Sequence, residues 1–134
     1  MKVKDFAGNL HNWPPTGHVA QPDDIRPKSE LHLKCRQLLK ELYPTRPPLE
    51  EVPIPGTRLL IDFVLPHRNI CIEVQGQQHY NDIFFFNSKA DFERSKQRDR
   101  QKLDWCVLNN LTLIELKYNE STDEWKQKIL LAKN

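Results

Sequence analysis

Two carboxylates stand where apolar residues would be expected. In the stretch Leu59 to Leu65 every neighbour of Asp62 is apolar, and in Ile70 to Gln75 a glutamate and a glutamine interrupt an otherwise apolar run. Side chains alternate faces along a strand, so Cys71, Glu73 and Gln75 share one face and Ile70, Ile72 and Val74 the other. Burying a carboxylate and an amide for packing alone is costly. Held on neighbouring strands, Asp62 and Glu73 offer two hard oxygen ligands of the kind Mg2+ takes, with water and phosphate oxygens completing its shell. Such an ion polarises a phosphoryl group and activates water for in-line attack. Left without a cation, two adjacent carboxylates repel and raise each other's pKa. His79, just past the strand, is placed to act as a general base or as an acid for a leaving oxygen.

The elements that would hold these groups follow from periodicity. Ser29 to Tyr43 reads as a helix, with Leu31, Cys35, Leu38, Leu39 and Leu42 on one stripe and Pro44 as its stop. Glu30 falls in its first turn, where a carboxylate favours the helix dipole. Three strands follow at Glu51–Ile54, Arg58–Leu65 and from Ile70, and the short turns between them imply an antiparallel meander. A second long helix runs from Lys89 or Asp91 to Leu108. At about 100° per residue, Phe92, Leu103, Cys106 and Val107 form its apolar face, with Asp99 inside that face. An inward aspartate calls for a partner or an active site. Arg94, Lys96, Arg98, Arg100 and Lys102 make this helix the densest positive patch of the chain, suited to a phosphate backbone. Asn109-Asn110 suits a helix C-cap, Leu111 to Leu116 a fourth strand, and Ser121 to Glu124 a capping box opening a last helix.

The remaining segments are less regular. Residues 1–27, with Pro14, Pro15, Pro22, Pro27, Gly8 and Gly17, read as an extended or irregular arm, and residues 28–134 as the domain proper. Docking of Trp13 on its own domain is favoured over docking on a partner. Phe84, Phe85 and Phe86 in the loop from Asn81 to Ser88 fit core packing better than base stacking, which is the other use of such a triplet. The 134 residues suffice for one domain, and a net charge of +2 with pI near 8.4 permits an anionic partner without requiring one. Cys35, Cys71 and Cys106 are widely spaced and odd in number, which fits buried free thiols in a reducing cytoplasm better than a zinc site or disulfides. No apolar run is long enough to span a membrane, and the first residues lack a signal-peptide core.

The pattern Ile61-Asp62-Phe63, Ile70-Cys71-Ile72-Glu73-Val74-Gln75-Gly76, Gln77-Gln78-His79-Tyr80, then Gln97 to Lys102 in a helix and Leu113 to Leu116 in a closing strand, resembles PD-(D/E)XK nucleases. It is most similar to the branch with very-short-patch repair and phage or homing-type endonucleases, which carries a Glu-Asp-x-His-Asp signature. The resemblance spans about Ser29 to Tyr118. It implies an α/β, restriction-endonuclease-like core: a helix, a three-strand meander, then helix, strand and helix, in a mixed four-stranded sheet flanked by helices. It implies a Mg2+-dependent endodeoxyribonuclease or nickase acting on DNA in a bacterial or phage-infected cell, with Mn2+ as a substitute ion. By residue, it makes Asp62, Glu73 and the Val74 backbone carbonyl the metal ligands. Glu30, His79 and Asp99 match the signature, and Gln75 stands where the family usually has its lysine. The basic residues from Arg94 to Lys102 would grip DNA. A second copy of the chain or a larger partner protein would suit double-strand cutting. The glutamine leaves room for a catalytically inactive nucleic-acid-binding module of the same fold.

Overall fold

The computed structural model describes residues 1–15, 29–76 and 89–132. In chain order it contains β1 (Lys2–Lys4), β2 (Leu10–Asn12), α1 (Glu30–Leu42), β3 (Leu49–Pro53), β4 (Leu60–Leu65), β5 (Ile70–Gln75), α2 (Lys89–Leu108), β6 (Thr112–Lys117) and α3 (Thr122–Leu131). The expected α/β order is present. The central sheet runs β3-β4-β5-β6, antiparallel through the meander and parallel between β5 and β6. A parallel neighbour needs a crossover, and α2 supplies it.

Two apolar cores lie on opposite faces of this sheet. On one, Leu38 and Leu39 of α1 and Trp125 and Ile129 of α3 cover Phe63, Leu65, Ile70, Ile72, Ile114 and Leu116. On the other, Trp105 and Cys106 of α2 meet Val52, Ile54, Ile61, Val64 and Cys71. The second core also takes Val3 and Trp13. Residues 1–15 therefore do not form the irregular arm their composition suggests. β1 and β2 pair as an antiparallel hairpin, and Trp13 is buried edge-on against Trp105 with ring centroids 5.0 Å apart. The indole nitrogens of Trp13 and Trp105 donate to the carbonyls of Pro53 and Lys4, both at 2.9 Å. Docking of Trp13 on its own domain is thus observed.

Helix ends follow local chemistry. Ser29 Oγ accepts from His32 N, and Ser121 Oγ from Glu124 N, so both serines cap helices. At the far end of α2, Asn110 adopts a left-handed φ of 56° while Leu111 N–H reaches Cys106 O and Asn110 N–H reaches Val107 O. That is a Schellman ending with asparagine in the left-handed position. Leu111 turns back into the core beside Cys106.

β3 carries an irregularity that bears on the site. Residues two apart on a strand should share a face, yet Glu50 turns toward α1 while Val52 lies in the α2-side core. Between them Glu51 has a positive φ of 51°. On β4 the same reset separates Ile61, in the α2-side core, from Phe63, in the α1-side core. Asp62 sits at that reset.

A candidate metal centre at a fork between two strands

The β4–β5 ladder runs through Leu65↔Ile70, Val64↔Cys71 and Phe63↔Ile72 and goes no further. Beyond it the next residues are Asp62 and Glu73, and their side chains take over from the backbone. Glu73 Oε2 accepts from Asp62 N–H at 2.8 Å, and Asp62 Oδ2 accepts from Val74 N–H at 2.9 Å. The strands fork here, and the carboxylates line the opening.

Backbone direction places Val74 in the same opening. Asn69 O and Gln75 O both accept from the β6 side, from Thr112 N and Tyr118 N. The N–H and C=O of one strand residue point the same way, alternating from residue to residue. Val74 therefore turns both groups toward β4, and its carbonyl faces the fork. Gln75 shares the face of Glu73 and is buried, and among the described residues its Oε1 has no hydrogen-bond partner. A buried, unpartnered amide oxygen costs stability unless a ligand completes it.

On that same face lies α2. Its inward stripe consists of Phe92, Ser95, Asp99, Lys102, Trp105, Cys106 and Asn109, buried or half-buried at helical spacing. Leu103 and Val107, expected on the apolar face, are exposed. The buried stripe is rotated by about one residue position from the apolar one, because Ser95 is buried and Lys102 half-buried where Leu103 and Val107 face outward. Asp99 is half-buried on the stripe, as expected of an inward aspartate. Lys102, three residues on, forms an ion pair with Glu73 Oε1. Grouped with the DNA-gripping cations on sequence, Lys102 instead turns its ammonium into the fork.

Burial and the nearby Asp62 charge push the Glu73 carboxyl up to about 8, against the pull of Lys102. The same Asp62 charge, after burial itself, helps raise the Cys35 thiol on α1. The field of Asp62 thus reaches groups on both faces of the sheet, in keeping with its place at the reset.

The other expected site residues divide. Glu30 lies exposed at the start of α1, and among the described residues nothing joins it to Asp62 or Glu73. Its helix turns His32 and Arg36 inward instead. His32 Nε2 and Arg36 hold both oxygens of the buried Glu50, at 2.7 and 2.8 Å, and the His32 ring stacks on Phe63. The spacing of four between His32 and Arg36, beside Cys35 and Leu39, was the available signal for this network. His79 and the phenylalanines of the 81–88 loop lie outside the described residues. The remaining cations of α2 do not form one patch. At about 100° per residue, Arg94 and Arg98 flank the stripe on the Lys102 side and Lys96 and Arg100 on the other. Arg94 pairs with Asp91 and Arg100 with Asp104, while Lys96 lies over the Phe92 ring.

Among the described residues no group of three or more His, Cys, Asp or Glu side chains is arranged to hold a metal. What the fork does offer is all oxygen: two carboxylates, a buried amide oxygen without a partner, and a strand carbonyl. That donor set fits a hard divalent ion with water in its shell better than zinc.

Comparison with known proteins finds relatives in viruses of invertebrates. The chain is 33% identical to uncharacterized protein 033L of Invertebrate iridescent virus 3, over 67% of this chain and 50% of that protein. It is 29% identical to uncharacterized protein 307L of Invertebrate iridescent virus 6, over 75% of this chain and 61% of that protein. The chain therefore spans about half to three fifths of the length of these relatives. No family model matches it, and no solved structure matches it significantly. Among the described residues no helix is long and apolar enough to cross a membrane.

Proposed function

We propose that this domain is a divalent-metal-dependent DNA endonuclease or nickase whose centre is the β4–β5 fork. One observation carries the reading: where the ladder ends, Asp62 and Glu73 exchange side-chain-to-backbone hydrogen bonds beside a buried Gln75 oxygen that lacks a partner among the described residues. A purely structural carboxylate pair would be closed by cations or donors on every oxygen. Here the fork leaves acceptor capacity over.

In this reading Asp62, Glu73 and the Val74 carbonyl hold the ion, and Gln75 orients a water or a phosphate oxygen. When bound, Mg2+ would supply Lewis-acid stabilisation to a phosphodiester. The chain's own groups do the positioning. The two backbone amides fix the carboxylates rigidly, which such chemistry needs, because an ångström of looseness costs rate. Asp99, half-buried on the same face of α2 as Lys102, is the residue proposed to shape the outer shell. His79 remains the proposed proton carrier. Arg94 and Arg98 would meet the DNA backbone on one flank of α2, and Lys96 and Arg100 on the other.

The test is a plasmid nicking assay with Mg2+ and with EDTA, comparing the wild type with Asp62→Asn and Glu73→Gln. These amides keep an oxygen for the Asp62 and Val74 N–H groups, so the fork survives, whereas alanine would orphan both donors. Wild-type nicking that requires metal and falls at least about a hundredfold in each variant supports the proposal. Equal cleavage by all three ends it. DNA binding indifferent to EDTA with no turnover would instead favour the binding-only module.

A further inference from the structure

Both oxygens of Glu73 are already engaged. Oε2 takes the Asp62 amide and Oε1 the Lys102 ammonium. A cation that uses Glu73 as a ligand must therefore replace one of these partners. The amide belongs to β4, packed on both faces, and cannot withdraw. The ammonium sits on a flexible four-carbon stem. We infer that Lys102 is a built-in counter-ion of the fork, which a divalent ion must displace from Glu73 before both carboxylates serve as ligands.

This rests on the metal-binding reading of the fork. A carboxylate oxygen has a second lone pair, so coexistence on Oε1 is geometrically conceivable. It would hold an ammonium beside a dication, and like charges at that separation in a partly buried site repel strongly. The pair is indeed partly buried: the side chains of Lys102 and Glu73 are 17% and 7% exposed. A strongly hydrated ammonium is seldom drawn that far from water by a surface preference alone. The Glu73 that it pairs with is bonded in turn to the Asp62 amide, and the Asp62 carboxylate lies at the same opening. The carboxylates are the groups a lysine there can neutralise.

The exchange changes the charge of the opening. With Lys102 in place, one positive charge faces two carboxylates. After displacement the dication faces the carboxylates, and the ammonium, still tethered at the mouth, becomes available to an anion. Metal loading and phosphate binding are then linked, each favouring the other. The lysine stops competing with the ion once a phosphate holds it.

Two measurements on the full chain test this. In calorimetric titration with Mn2+, Lys102→Met should bind at least about fivefold more tightly than the wild type, and Glu73→Gln should lose the binding. Affinity of Lys102→Met equal to or weaker than the wild type overturns the counter-ion role while leaving the metal site standing. Absence of Mn2+ binding in every protein, Lys102→Met included, overturns both. Binding undiminished by Glu73→Gln places the ion elsewhere and overturns the inference too. The second measurement needs no altered fold. Nitrogen-detected NMR of the lysine ammonium groups should show one protected resonance, assigned by its loss in Lys102→Arg, that disappears on saturation with Mg2+. Its persistence at saturation would refute the displacement.

Discussion

The Glu73 carboxyl is costlier to bury ionised than protonated, even with Lys102 beside it. Burial and Asp62 raise its carboxyl from an ordinary 4.5 to about 8. Between those values the folded state holds more protons than the unfolded chain, so stability is fully present below pH 4.5 and is lost as pH rises toward 8. Glu73→Gln, which mimics the neutral form, should therefore melt several degrees above the wild type at pH 8, with the gap closing toward pH 4.5. A thermal-shift series across that range checks it, and a gap independent of pH would rule out this origin. Retaining a costly carboxylate at a buried position is the pattern of a residue kept for chemistry rather than packing. Asp62, Glu73 and Gln75 could be picked out from sequence because each interrupts an apolar strand, an inconsistency visible one residue at a time. The Lys102 partnership could not. A lysine on an amphipathic helix reads as solvent-facing unless the packing angle of that helix is known, and the angle is set by Trp105, Ser95 and Cys106 against the sheet.

At the scale of elements, α1 is joined to the edge strand β3 by charge as well as by apolar contact. Burial alone would raise the Glu50 carboxyl, but the hydrogen bonds from His32 and Arg36 outweigh it and hold the group below its ordinary 4.5. A depressed carboxyl contributes stability that is present above pH 4.5 and lost as pH falls through the folded value. Glu50→Ala would leave Arg36 buried without its counter-charge and should cost about 3–5 kcal/mol at neutral pH. Urea unfolding at pH 7 and pH 3.5 measures it, and the difference from wild type should shrink at the lower pH. Helix and strand positions were legible in the sequence to within a residue or two, because α1, α2 and α3 carry strong periodicity, caps or stops, and the meander has short turns. The β1–β2 hairpin was not. Its strands are three residues each, too short for any period to register, and what fixes them is distant: Trp105, Asn109 and Pro53.

For the whole molecule, the two faces of the sheet have separate tasks. The α1–α3 side packs an apolar core beside the closed Glu50–His32–Arg36 network, whereas the α2 side combines a core with the fork at its margin. Cations on α2 flank that margin rather than concentrating in one stripe, so on the proposed nuclease reading DNA affinity should respond to them unequally. Arg94 and Arg100 are partly neutralised by Asp91 and Asp104. Arg98 is exposed, and as a phosphate contact its replacement by alanine should lower the salt slope of binding by about one. Fluorescence anisotropy with a duplex over a range of salt would show it. An unchanged slope would move the backbone contact away from this flank of α2.

The hairpin also sets an order of events. Lys4 N–H donates to Asn109 Oδ1 at 2.7 Å across a separation of 105 residues, and Lys4 O receives both Trp105 and Asn109. Residues of the hairpin are thus anchored by residues about a hundred positions further along the chain. During synthesis the segment from Met1 to Pro15 can meet Pro53 and the sheet residues of its core, but it lacks the α2 part of its docking surface until Trp105 and Asn109 have been made. The α2-side core closes only once α2 is made, and the Lys102 side of the fork at its edge is completed with it.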